Sequence, residues 1–245
     1  MVGHEGRVQG SPLERKVLRD TVYDQLFRML VDGSLRPGTS LSIDGLARDL
    51  CVSPTPVREA LVHLEHTGLV RRAALRGYTA ADPLTAKELR DLVAARRLLE
   101  GAALRAAVDR PDPQSGEGMP IAQQLADALA EQRRAYGEVT RHGSLCPPAP
   151  LYAYLVSEWE FHRVLVVQGG NPYLARMLDL LAGEMYRMRR RPDGRPFDAT
   201  ESIAEHSAIV RAVASGRPGS AEEALATHLD GLLARSLARL PRENS

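Results

Sequence analysis

Apolar residues recur at helical spacing along nearly the whole chain, and a single stretch interrupts the pattern: LVRRAALRGYTA at 69–80, short, half alternating and turning at or before Gly77. A chain with material for only two small strands cannot assemble a sandwich, a barrel or a layered parallel sheet, which need many strands at regular spacing. The fold expected is therefore mainly α. The 245 residues suffice for one large or two modest domains, at roughly 150 residues per domain, and either buries a core without disulfides or structural metals.

Composition narrows the compartment and the partners. The chain is 44% hydrophobic and 26% charged, and its 32 basic and 31 acidic residues leave a net charge of +1, which excludes a polycation and a disordered acidic tail. Cys51 and Cys146 stand far apart and in no CxxC spacing, against a disulfide framework or a cysteine zinc site and in keeping with a reducing cytoplasm. The longest apolar runs, LYAYLV and VLVV, fall far short of the ~20 residues that span a bilayer, so no membrane partner is expected. The start, MVGHEGRVQGSPLERK, has no apolar core of a secretory signal, and residues 1–14 read as a disordered leader. Lys16 and Lys87 are the only lysines among the 32 basic residues, a bias that points to a GC-rich bacterial genome.

Clusters rich in proline, glycine and serine punctuate the chain at 110–120, 142–150 and 190–198. Before the interrupted stretch, residues 15–33 place Val22, Leu26, Met29 and Leu30 on one helix face, and RPGTS at 36–40 stops that helix. A helix at about 43–50 turns Leu46, Ala47 and Leu50 inward. The next opens at Ser53 as N-cap with Pro54 in its first position, carries Val57, Ala60, Leu61 and Leu64 on one face, and ends before Gly68. After Thr85 the spacing predicts six helices, at about 85–108, 121–141, 151–168, 172–190, 199–215 and 219–239. Such a run is a bundle of its own, with a boundary near Asp82-Pro83.

Helix, short helix, turn, helix and two-stranded hairpin is the order of a winged helix-turn-helix. A recognition helix presents its first residues to base edges and phosphates, so small hydroxyls and a cation belong there, and Ser53, Thr55 and Arg58 supply them. In the wing, Arg71, Arg72 and Arg76 flank Gly77, whose missing side chain lets backbone approach a phosphate or the minor groove. Over residues 13–80, 10 basic and 8 acidic residues give only +2, so charge alone does not establish nucleic-acid binding, and a helical protein-interaction module fits the same pattern. His63 and His66, at the far end of the recognition helix, read as surface histidines.

The strings LRPGTSLS, LARDLCVSPTPVREALVHLEHTGLV and RGYTA resemble the DNA-binding domain of GntR family transcription regulators over about residues 16–80. That family often has arginine at the positions of Asp44 and Pro54, where it reads guanines. Their absence shifts base readout toward Arg58 and Thr55, and the operator sequence does not carry over.

Three of the seven histidines lie on apolar stripes: His162 with Leu155, Trp159 and Val166, His206 with Ile203, Val210 and Val213, and His228 with Ala221, Leu225 and Leu232. Buried imidazoles need partners. Each can bond a backbone carbonyl as an ordinary core histidine. A divalent metal would satisfy all three together, with Glu158, one turn before His162, as the anionic fourth ligand. Arg96 lies on the stripe of Leu89, Val93, Leu99 and Ala103, either directed inward to pair a carboxylate or engaged with Glu100 four residues on.

EWEFHRVLVVQGGNPYL, EHSAIVRAVASG and AEEALATHLDGLL are similar to the FCD ligand-binding domain of the FadR-like branch of GntR regulators, and LRDLVAARRLLEGAALRAA at 89–107 looks like its opening helix. The resemblance covers about 84–240. It implies a metal held by an aspartate and three histidines, positions that fall here on Glu158, His162, His206 and His228, with glutamate in place of aspartate. It also implies an effector, often a small organic acid, bound to that metal through a carboxylate, for which Arg96 is a candidate partner. The run Arg187, Arg189, Arg190, Arg191 and Arg195 reads as a solvated helix end, Asn171-Pro172 as a helix start, and Gln168 has no assigned role.

The reading is a leader at 1–14, a winged helix-turn-helix DNA-binding domain with a small two-stranded wing at 15–81, and an all-α ligand-binding and dimerisation bundle at 84–240. It describes a cytoplasmic bacterial homodimer, a repressor on a double-stranded DNA operator, answering a small organic acid through zinc, nickel or manganese. Two alternatives stand beside it: a regulator whose bundle is a metal-free dimerisation module, and a metal-dependent hydrolytic enzyme with no evident general base and no use for SPTPVREAL.

Overall fold

The computed structural model describes residues 12–31, 33–66, 68–73, 77–109, 120–142, 148–189 and 198–240. Residues 1–11 of the expected leader, Arg76, Cys146, Arg190, Arg191 and Arg195, and the side chains of His66 and Arg189, lie outside it.

The N-terminal elements are α1 (Pro12–Val31), β1 (Ser40–Leu41), α2 (Ile43–Asp49), α3 (Pro54–His66), β2 (Val70–Ala73) and β3 (Gly77–Ala80). Val22, Leu26, Phe27 and Leu30 of α1 pack with Val57, Leu61 and Leu64 of α3 in a buried core, and each such side chain contributes roughly 1.5–3 kcal/mol. The Ser42 hydroxyl caps α2 by accepting from the Gly45 N–H at 3.2 Å, and Gly68, at φ +79°, follows the end of α3.

The expected wing has two strands; the sheet has three, ordered β1-β3-β2 and antiparallel throughout. Ser40 pairs Thr79 and Leu41 pairs Tyr78. Gly38 steers the chain into this edge at φ +75°, and its N–H donates to the Ala80 carbonyl at 2.9 Å. Two residues are too few to display alternation, so β1 is invisible to a periodicity argument.

Residues 81–85 carry neither helix nor strand and lead into α4 (Ala86–Val108). Thr85 and Glu88 close its N-terminus with a reciprocal capping box. Then follow α5 (Ile121–His142), α6 (Pro148–Gln168), α7 (Pro172–Leu180), α8 (Ala182–Arg189), α9 (Ala199–Ala214) and α10 (Pro218–Leu237). Asn171 caps α7 through its side-chain oxygen, as Asn-Pro suggests. The single helix expected at 172–190 is two, making seven in the bundle among the described residues. At Leu181 (φ −88°, ψ −6°) the backbone N–H turns back to the Leu178 and Asp179 carbonyls, and although Gly183 follows two residues on, the apolar spacing reads through the break.

Arg187 corrects the solvated-end reading of the arginine run. It is buried, and its Nε and Nη2 donate to the Asp82 carbonyl at 3.0 and 2.6 Å while Nη1 pairs with Glu184. Nearby, Phe27 of α1 meets Tyr152 of α6 edge-on at 4.9 Å and Tyr186 of α8 at 4.5 Å. Gln168 also has a partner, donating to Gln124 at 2.7 Å. Among the described residues no helix is long and apolar enough to cross a membrane.

Candidate functional site

Glu158 and His162 sit one turn apart on α6, facing His206 from α9 and His228 from α10. All four are buried, and one donor atom from each lies within 4.8 Å of the others. His162 Nε2 stands 3.5 Å from Glu158 Oε1 and 3.2 Å from His206 Nε2. Phe161, next to His162 in sequence, stacks on the His206 ring at 4.0 Å and 7°. The histidines meet at one point because α6 and α10 bury the stripes on which His162 and His228 lie, whereas on α9 the buried face is Ser202, His206, Ile209 and Val213, with Ile203 and Val210 of the expected stripe only half-buried.

The far side of each ring has its own partner. His162 Nδ1 lies 2.9 Å from Glu100 Oε2, His206 Nδ1 2.8 Å from Gln132 Oε1, and His228 Nδ1 2.8 Å from Glu205 Oε2. Carboxylate and amide oxygens only accept, so each Nδ1 carries the proton and each Nε2 presents a lone pair inward. The His228 Nε2 is buried with no hydrogen-bond partner. These donors fit a metal: three imidazole nitrogens and one carboxylate oxygen suit a first-row divalent cation, and the Nδ1 acceptors are the support such ligands ordinarily have.

Electrostatics keeps His228 in ligand form. Burial pulls His228 down to about 4 against the opposing pull of its Glu205 hydrogen bond, so the ring stays neutral near pH 7. Burial raises Glu205, but hydrogen bonds from His228 and Arg235 outweigh it and hold the carboxyl at about 2. Glu100 is likewise held well below the carboxylate range, because Arg96 and His162 overcome its burial.

Arg96 is directed inward and engages Glu100, four residues on. Its Nε donates to Glu100 Oε1 at 2.6 Å, while Nη1 and Nη2 are fully buried without a partner. Its charge is close enough to disfavour protonation of His228. Sequence reasoning missed Gln132, Glu205 and Arg235, and weighed Glu100 only as the partner of Arg96. Gln132 had a signal, since it interrupts the inward stripe Leu125, Leu129, Ala135 and Val139.

In the N-terminal unit, Ser53, Thr55 and Arg58 lie exposed at the start of α3, opposite the buried Val57, Leu61 and Leu64. Arg72 reaches over the Tyr78 ring at 5.9 Å. Arg71 turns toward Asp82 and Glu88, at 3.7 and 3.8 Å. Gly77 is exposed at φ +75° with nothing within 4 Å of where a Cβ would stand, a conformation that favours glycine.

The FCD domain model matches residues 91–231, and the model of bacterial regulatory proteins of the gntR family matches residues 18–79. The probable D-xylose utilization operon transcriptional repressor of Paenarthrobacter nicotinovorans is 28% identical over 222 residues, 90% of this chain and 89% of that protein. The HTH-type transcriptional regulator LutR of Bacillus subtilis is 28% identical over 222 residues, 82% of this chain and 93% of LutR. In fold, a putative GntR regulator from Rhodococcus sp. RHA1 superposes with a TM-score of 0.68 at 24% identity, covering 91% of this chain and 99% of that one. E. coli McbR/YncC gives 0.67 at 21% with the same coverage. The chain belongs to the GntR family of DNA-binding bacterial transcription regulators, with an FCD domain following its winged helix-turn-helix head.

Proposed function

We propose that this regulator senses a small organic acid through a divalent metal, zinc, nickel or manganese, held by Glu158, His162, His206 and His228. The observation that carries the reading is the pair His162 Nε2 and His206 Nε2, 3.2 Å apart with both Nδ1 protons engaged elsewhere. Imidazole nitrogens bound at about 2.1 Å to one cation stand about that far apart. Glutamate in place of aspartate keeps the oxygen donor on a longer stem. The bound metal would supply a concentrated positive charge with positions open to an anion.

Arg96 supplies the protein's own contribution to the anion. Its two unpartnered nitrogens form half of a fork suited to a carboxylate, and leaving buried donors unpaired costs roughly 1–3 kcal/mol. An incoming carboxylate relieves that cost, so it binds where burial makes the interaction strong.

The head, residues 15–81, reads an operator with Ser53, Thr55 and Arg58 in the major groove and Arg71, Arg72, Arg76 and Gly77 at the wing, while the bundle at 84–240 senses and dimerises. Two heads on a two-fold axis match a pseudo-palindromic site. Repression is the role named for the Paenarthrobacter relative, and a regulator of this kind acts on its operator in the bacterial cytoplasm.

Elemental analysis of untagged protein, beside a thermal-shift screen of small carboxylates with and without chelator, tests the reading. Near-stoichiometric metal and chelator-sensitive stabilisation are expected. Stabilisation without metal would leave Arg96 as sole anchor, and neither result would reduce the bundle to a metal-free dimerisation module.

A further inference from the structure

Glu205 does more in this structure than pair with a histidine. Its Oε2 accepts from His228 Nδ1 at 2.8 Å, and both its oxygens take the Arg235 fork, Nη1 on Oε1 at 2.7 Å and Nη2 on Oε2 at 2.9 Å. The remaining Arg235 nitrogen, Nε, donates to buried Asp198 at the start of α9 at 3.3 Å. One guanidinium therefore fixes two points of α9 from α10. The ion pair lies directly over Gly231: a Cβ there would stand 2.8 Å from both Glu205 Oε1 and Arg235 Nη1. Gly231 sits mid-helix, where glycine is the poorest helix former after proline, and the space it leaves is filled by this pair.

We propose that Glu205, clamped by Arg235 in the notch left by Gly231, is a positioning residue that aims His228 Nε2 at the metal. The inference rests on the metal reading above and adds residues that hold no metal themselves. The same arrangement recurs at Arg96, Glu100 and His162, so two Arg–Glu–His chains end at the same cluster. The third ligand, His206, is held by a neutral amide, Gln132. Orientation by a hydrogen-bond acceptor thus serves with or without a negative charge. The simpler role to be distinguished is a salt bridge that merely ties α9 to α10.

The test uses full-length protein stripped with chelator and titrated with Co2+, followed by its visible absorption and by competition with a chromogenic chelator. Glu205→Ala is expected to weaken Co2+ binding by about 10–100-fold and to alter the cobalt spectrum. Glu205→Gln, which keeps an oxygen for the His228 proton as Gln132 does for His206, is expected to recover most of that loss. Gly231→Ala leaves Glu205 and Arg235 in place: its added Cβ displaces the ion pair and is expected to lower cobalt affinity, while the gain in helix propensity offsets part of the stability lost with the pair. Wild-type affinity and spectrum in both Glu205→Ala and Gly231→Ala would overturn the proposal. Equal loss of cobalt affinity in Glu205→Ala and Glu205→Gln, each matched by the same fall in the melting temperature of the stripped protein, would also overturn it in favour of the plain salt bridge. If wild-type protein binds no Co2+, the metal reading itself fails, a result distinct from either.

Discussion

The Tyr152 hydroxyl donates to the Asp24 carboxylate at 3.1 Å, joining α6 to α1 across 128 positions of sequence. Six residues along the same helix from Tyr152 stands Glu158, a separation of about 9 Å at 1.5 Å per residue. One rigid element thus touches the DNA-binding head at one end and carries two of the four candidate metal ligands farther on. Coupling needs a contact that differs between states, and this hydrogen bond, beside the Phe27, Tyr152 and Tyr186 rings, is placed to be one. Tyr152→Phe keeps the ring and loses the bond, a change of about 1 kcal/mol. We expect it to leave operator affinity of the stripped protein near wild type and to shrink the change in affinity on metal and carboxylate addition by up to about fivefold, read by fluorescence anisotropy. An unchanged response would remove Tyr152 from the coupling.

Arg58 is exposed on the face of α3 opposite Val57 and Leu61, so its removal leaves the core intact. Arg58→Ala is expected to weaken specific DNA binding by about 1–3 kcal/mol with little change in melting temperature. The contrast is Leu61→Ala, which empties a fully buried site and is expected to cost ~2–5 kcal/mol of stability. Anisotropy and thermal melting on the same samples separate reader from core. Unaltered affinity in Arg58→Ala would remove it from readout.

The four candidate ligands act as a set, so losing two leaves too few donors for a stable site. His206→Ala combined with His228→Ala is expected to abolish metal content in elemental analysis. It is also expected to remove the difference in melting temperature that chelator causes in the wild type. Stoichiometric metal retained in the double variant would place the site elsewhere.

How much of this was legible in sequence depends on what each feature requires. Helices announced themselves through stripes and start signals, as in Pro54 at the first position of α3 and Asn171-Pro172 at the cap of α7, because the signals are local. β1 did not, because two residues derive their strand character entirely from pairing with Tyr78 and Thr79. Nor did the break at Leu181, where the apolar pattern runs on through the turn. At the site, His162, His206 and His228 were found because each sits on a stripe, where a polar residue stands out. Glu205 escaped because its partner is the histidine of another helix, and Arg235 because its role is set by Glu205. A contact between residues 30 positions apart leaves no spacing to read.

His228 also makes stability depend on pH in a stated direction. Burial is the chief reason its folded value falls from 6.5 to about 4, with the charges of His162 and Arg96 acting the same way and Glu205 and Glu158 opposing. A histidine whose folded value is depressed adds stability that is present above about 6.5, its unfolded value, and is lost as pH falls toward the folded value. In chelator-stripped protein the full difference is about 3 kcal/mol at 1.36 kcal/mol per unit. Melting temperature is therefore expected to drop between pH 7 and pH 4.5, and His228→Gln, neutral throughout, should show a shallower drop. Metal should flatten the upper part of the curve, since a coordinated nitrogen has no lone pair for a proton. Identical pH profiles in wild type and His228→Gln would mean that this imidazole does not titrate across the transition.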